Sequence, residues 1–146
     1  FLREVKAHAG AKTILGSGDL FTAEACLEML AQTGVDGVSV ARGAIGNPWI
    51  FGQARALAEG RPLPVPDVRE QRRVLRMQLS LCLSHGDAEG AMSTMRTFGI
   101  KFARMHPEAV EVRNAFAVVK TLDQWNRTLD HWYPPGSEEV ESEENA

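Results

Sequence analysis

The chain has 146 residues, of which 44% are hydrophobic and 24% charged, the profile of a globular protein with enough apolar material for a core. Its net charge of −3 conceals an asymmetry, because five of its 19 acidic residues stand in the stretch 134–146 (PPGSEEVESEENA) without a single base, leaving a mildly basic body and an acidic tail expected to be disordered. No apolar run approaches the ~20 residues of a membrane span, and two widely separated cysteines offer neither a disulfide framework nor a metal knuckle, so a reducing cytoplasm is the expected setting, without metal or membrane.

The first residues, Phe1-Leu2-Arg3-Glu4-Val5, read as the middle of a helix rather than a natural start, and a fragment of a longer protein is expected. Residues 12–15 form a short strand that runs into Gly16-Ser17-Gly18-Asp19. Thr22 is placed to cap a helix with Ala23, Cys26, Leu27 and Leu30 on its apolar face, and Gly34 to close it. Asp36 reads as a turn residue before a second strand over 37–41 (GVSVA). That strand breaks on Arg42-Gly43-Ala44-Ile45-Gly46, and another helix starts near Asn47-Pro48, where proline suits a first turn. The spacing from Ile14 to Val38 fits parallel strands joined by a crossover helix. Two parallel strands cannot cover both of their faces, so residues 1–60 are expected to end a larger α/β sheet or barrel.

Prolines at 62, 64 and 66 make residues 61–67 an extended linker, with Asp67 as a cap for the next helix. Helical periodicity then predicts helices over 68–84 and 88–105, the second with Met92, Met95, Phe98 and Phe102 on one face and His106-Pro107 at its end. Two more are predicted over 109–119 and 122–132, so that 68–133 form a helical-bundle domain.

Three features carry chemistry. Gly16-Ser17-Gly18-Asp19 is either a plain turn or a backbone cradle for phosphate oxygens, since glycine lets a ligand approach without a Cβ in the way. Arg42-Gly43, at the end of the next strand, repeats the arrangement and adds a guanidinium able to grip phosphate with two hydrogen bonds. Adjacent parallel strands bring both loops to one edge, where α/β folds bind ligands, and together they favour a phosphate-bearing ligand. The third feature is a basic stripe in which Arg69, Arg72, Arg73 and Arg76 recur at helical spacing, followed by Arg96 and Lys101. It is either a solvated face or a contact for a nucleic-acid backbone. Cys26 and Cys82 read as core rather than nucleophiles, Trp49, Trp125 and Trp132 as packing residues, and the four histidines have no ligand spacing.

The runs GSGDLFTAEACLEML and TGVDGVSVARGAIGNPWIF resemble the C-terminal part of the tRNA-dihydrouridine synthases, flavoenzymes that reduce particular tRNA uridines. The specific match covers residues 12–53, and 67–133 resemble more loosely the helical domain that follows the barrel. The resemblance implies the last two βα units of a TIM (β/α)8 barrel, FMN contacts at Ser17, Gly18 and Asp19, and a grip on the FMN phosphate at Ala41, Arg42 and Gly43. It also implies NADPH as reductant and tRNA as substrate, contacted through the basic helices. The family more often carries Asn where Ser17 stands, and many bacterial members have Arg-Lys-His where this chain has Arg96-Thr97-Phe98. Its catalytic cysteine, a proton donor, belongs to earlier barrel strands, and neither Cys26 nor Cys82 occupies that position. The chain alone is therefore expected neither to reduce tRNA nor to hold FMN tightly. Two other readings are a non-catalytic RNA-binding module and a different barrel enzyme that binds a phosphorylated small molecule at the same loops.

Overall fold

The computed structural model describes residues 1–135; the acidic stretch, from residue 136 on, lies outside the described residues. The described chain is mostly helical with two short parallel strands, and it divides into two compact units, Phe1–Val65 and Pro66–Ala146.

In the first unit, helix α1 (Leu2–Ala9) precedes strand β1 (Leu15–Gly16), helix α2 (Ala23–Thr33), strand β2 (Gly37–Val38), the single turn α3 (Arg42–Ile45) and helix α4 (Ile50–Ala58). The α2 boundaries follow from its caps: the Thr22 hydroxyl accepts from the Ala25 amide at 3.1 Å, and Gly34, at φ 70°, donates its own amide to Leu30 O at 2.9 Å. β1 and β2 pair in parallel with Leu15 opposite Gly37 and Gly16 opposite Val38, and α2 is the crossover between them. Both strands are shorter than their sequence suggests. Their shared hydrogen bonds run only from Asp36 N–Ile14 O to Ser39 N–Gly16 O, at 2.9 and 2.8 Å.

One face of the strand pair is covered and the other is not. Leu20, Cys26 and Ile50 are buried and pack with Ala25, Met29, Val38, Val40, Ala44 and Ala54. A Cβ on Gly16 would lie 2.6 Å from Met29 Sδ, so Gly16 faces α2. Leu15, on the opposite pleat, is 58% exposed. Asp36 does more than turn the chain: its carboxylate accepts from Lys6 Nζ at 2.6 and 2.8 Å and from the Ile14 amide at 2.8 Å, tying α1 to the start of β1. These bonds, the Lys6 contact foremost, hold the Asp36 carboxyl below its usual range.

The second unit holds α5 (Val68–His85), α6 (Ala88–Phe102), a 3-10 turn (Ala103–Met105), α7 (Ala109–Ala117) and α8 (Leu122–Trp132). Asp67, Asp87 and Thr121 cap α5, α6 and α8 by accepting from the amides of Glu70, Gly90 and Gln124. α6 stops at Phe102, short of the predicted 105, because the chain tightens into the 3-10 turn and His106 is extended, as a residue before proline prefers. Leu75, Met95, Phe102, Val112, Phe116, Trp125 and Tyr133 are fully buried, and the Phe116 and Trp125 rings lie 4.8 Å apart. Gly99 lets α7 close in, since a Cβ there would meet the Phe116 ring at 2.7 Å. The end of α8 is clamped by side chains from elsewhere in the unit. Arg72 Nη1 donates to Tyr133 O at 2.6 Å, and His106 Nε2 to Trp132 O at 2.8 Å. The Glu108 amide donates to His106 Nδ1 at 3.0 Å, which leaves the ring proton on Nε2.

Candidate functional site

The loops after β1 and β2 meet at the carboxyl edge of the strand pair and enclose a cleft of about 90 Å³. Ser17, Gly18 and Asp19 line it from the first loop, and Ala41, Arg42 and Gly43 from the second. All six residues singled out in the sequence are thus brought together. The backbone of the first loop takes conformations that ordinary side chains avoid, with Gly18 at φ 131° and Asp19 at φ 49°.

The second loop is locked against the first by the absence of a side chain. A Cβ on Gly43 would fall 1.9 Å from Leu20 O, closer than any real contact, so only glycine fits. Arg42 Nη2 donates to Asp19 Oδ1 at 2.8 Å, and the guanidinium carbon lies 5.6 Å from the centroid of the Phe21 ring. Both side chains of this ion pair are exposed, Arg42 by 71% and Asp19 by 82%. The pair therefore orients the guanidinium while contributing little to stability. No local pattern signals the Phe21 contact, which depends on two loops closing.

At about 90 Å³ the cleft is well below the ~300–1,000 Å³ of pockets that enclose a small molecule. Its chemistry is that of one wall, with an exposed cation and two close backbone approaches, and no acid–base pair or nucleophile. Cys26 is 1% exposed, and burial followed by the nearby Glu24 charge pushes its thiol upward, away from the thiolate. Cys82 is half-buried and accepts from Gln78 Nε2 at 3.6 Å.

The basic stripe divides in two. Arg69, Arg73 and Arg76 on α5, and Arg96 and Lys101 on α6, are exposed. Arg72 is not part of that surface: it is 5% exposed, and besides Tyr133 O it binds Asp130 Oδ1 at 2.9 Å. Helical spacing places it with the others, but it lies on the side of α5 that α8 covers. Arg73 is paired with Glu70 through two bonds of 2.7 and 2.8 Å. Among the described residues no helix is long and apolar enough to cross a membrane.

Comparison with known proteins adds what the cleft alone does not. The family model described as "Dihydrouridine synthase (Dus)" matches residues 2–134. A Mycobacterium leprae protein named "Probable tRNA-dihydrouridine synthase" is 35% identical over 130 residues, which are 88% of this chain and 34% of that protein. "tRNA-dihydrouridine synthase B" of Xanthomonas axonopodis pv. citri is 31% identical over 112 residues, 75% of this chain and 33% of its own length. A Treponema pallidum protein, also named "Probable tRNA-dihydrouridine synthase", is 38% identical over 96 residues, 65% of this chain and 28% of its own. The chain thus spans about a third of the length of the curated relatives it matches.

Proposed function

The chain belongs to the dihydrouridine synthase (Dus) family, and from that premise we propose that it supplies one wall of an FMN site and a tRNA-binding helical domain to a tRNA-dihydrouridine synthase. In this reading residues 1–60 are the last two βα units of a (β/α)8 barrel, 61–67 are a linker, and 68–133 are the tRNA-binding domain. The uncovered face of the strand pair, with Leu15 58% exposed, supports a sheet that continues beyond these two strands.

The observation that carries the proposal is the Arg42 guanidinium, exposed at the carboxyl edge of two parallel strands and oriented there by Asp19 and Phe21. A phosphate suits this place. One edge of the guanidinium is spent on Asp19, while Gly18 leaves the first loop's backbone bare of a side chain beside it. Ser17, Gly18, Asp19, Ala41, Arg42 and Gly43 are the residues proposed to hold FMN. When bound, FMN supplies the hydride chemistry for reducing uridine to dihydrouridine, with NADPH as the reductant; the protein binds and orients. The proton donor is assigned to a cysteine outside this chain. Arg69, Arg73, Arg76, Arg96 and Lys101 are proposed to meet tRNA phosphates, with Arg73 contributing least because Glu70 already engages it.

Arg42→Ala in the full-length protein tests the phosphate grip. Loss of a charged hydrogen bond of about 1.5–3 kcal/mol predicts at least a roughly ten-fold rise in the FMN dissociation constant. Flavin absorbance retained equally by both proteins through dialysis would overturn it.

A further inference from the structure

A groove of about 480 Å³ lies between α5 and α8, away from the loop cleft. Leu79, Leu83 and Leu129 line it together with the polar side chains of Ser80 and Asn126, Arg72 and Asp130 close one end, and Arg76 stands on its rim. We propose that this groove is the docking site of the chain's own acidic stretch, residues 138–144 (EEVESEE), which screens the α5 arginines from RNA. The screening rests on the tRNA-binding role proposed for the helical domain; the docking does not.

Three observations point to this occupant. The first is the exit point. Arg72 and His106 hold the carbonyls of Tyr133 and Trp132, so the chain leaves α8 at a fixed place beside the end of the groove. The second is reach. From Arg72 to Leu83 the groove runs roughly 16 Å along α5, at about 1.5 Å per helical residue. A chain of seven residues, the separation of Val140 from Tyr133, can reach at most roughly 23–25 Å. The third is complementarity. The stretch sets Glu138, Glu139, Glu141, Glu143 and Glu144 around a single apolar residue, Val140, against a groove lined in part by leucines and with an arginine rim.

An RNA backbone is a poorer occupant, because it has no use for the leucine side chains, whereas Val140 does. Tethering matters too: a segment joined by a few residues acts at about millimolar effective concentration, so contacts too weak to hold a free peptide suffice.

The test uses the full-length protein with Arg76→Lys, which gives a water-soluble carbodiimide an amine to join to a carboxylate. Docking predicts an intrachain link from position 76 to a glutamate of 138–144, absent from an Arg113→Lys control on exposed α7 and lost at high salt. Links no more frequent at position 76 than at 113 would overturn the docking. In a second arm, a chain ending at Pro135 is compared with the intact chain for tRNA binding at about 50 mM salt, where several-fold tighter binding is expected. Equal, measurable affinity would overturn the screening. Failure of both chains to bind tRNA would instead refute the tRNA-binding role, and the cross-link would still decide the docking.

Discussion

In the unit that begins at Pro66, helices α5 to α8 bury large side chains from every element, and Phe102, Phe116, Trp125 and Tyr133 are all fully enclosed. In the Phe1–Val65 unit the buried cluster is Leu20, Cys26 and Ile50 with partly covered neighbours, while Leu15, Phe51 and Phe1 are 58%, 51% and 91% exposed. Helices can close a core among themselves by choosing which stripe faces inward. A pair of parallel strands cannot, because its second face needs another layer or further strands. The same chain thus contains one unit whose helices close a core among themselves and one whose strand pair leaves a face uncovered.

The sharpest way to break this contrast is to separate the halves. Residues 66–146 expressed alone should unfold in a single cooperative denaturant transition followed by circular dichroism, whereas 1–65 should show none. A cooperative transition from 1–65 would mean that its three-residue buried cluster suffices after all. Next in size, Arg72→Ala in the second unit should cost about 2–3 kcal/mol by chemical denaturation, since it strips Tyr133 O of a charged, buried donor. The Asp130 side of the ion pair adds little, being 59% exposed. A loss well under about 1 kcal/mol would show that His106 holds the end of α8 unaided.

The smallest effect belongs to the first unit. Asp36 has its carboxyl pKa lowered by Lys6 and the Ile14 amide, so its contribution is complete above the unfolded value of about 4 and is lost as pH falls through the lower native value. Asp36→Asn should therefore destabilise the full-length protein at pH 7 and make progressively less difference in acid. The same deficit at both ends of that range would show that the carboxylate's charge is not what ties α1 to β1.

How much of this is legible in the sequence depends on how local the cause is. Thr22, Gly34 and Asp67 mark helix boundaries through hydrogen bonds within a turn, and α2 and α5 begin or end where those residues predict. The strands fall short of their expected lengths: residues 12–15 and 37–41 have strand composition, but strand pairing needs a partner, and each has only the other. The break expected over 42–46 contains a helical turn, closed by the Ala44 amide on Ala41 O at 3.0 Å, before α4 begins at Ile50. The two glycine loops are legible because their glycines are visible and their separation implies adjacency. Periodicity on α5 groups Arg72 with its exposed neighbours, for it records angle around a helix and not which side a later helix will cover. Nothing local foretells the roles of His106 or Asp36, which are set by partners far along the chain.

The contact between Gly43 and the Leu20 carbonyl also limits how this part of the molecule can change over time. Gly43 packs so closely on the Leu20 carbonyl that no other residue can replace it without displacing the first loop, whereas Gly18 faces open space. New preferences at this edge can come from exchanging side chains such as Ser17 or Phe21 while that contact is kept. The contact fixes the frame at one point, and variation is left to the decoration.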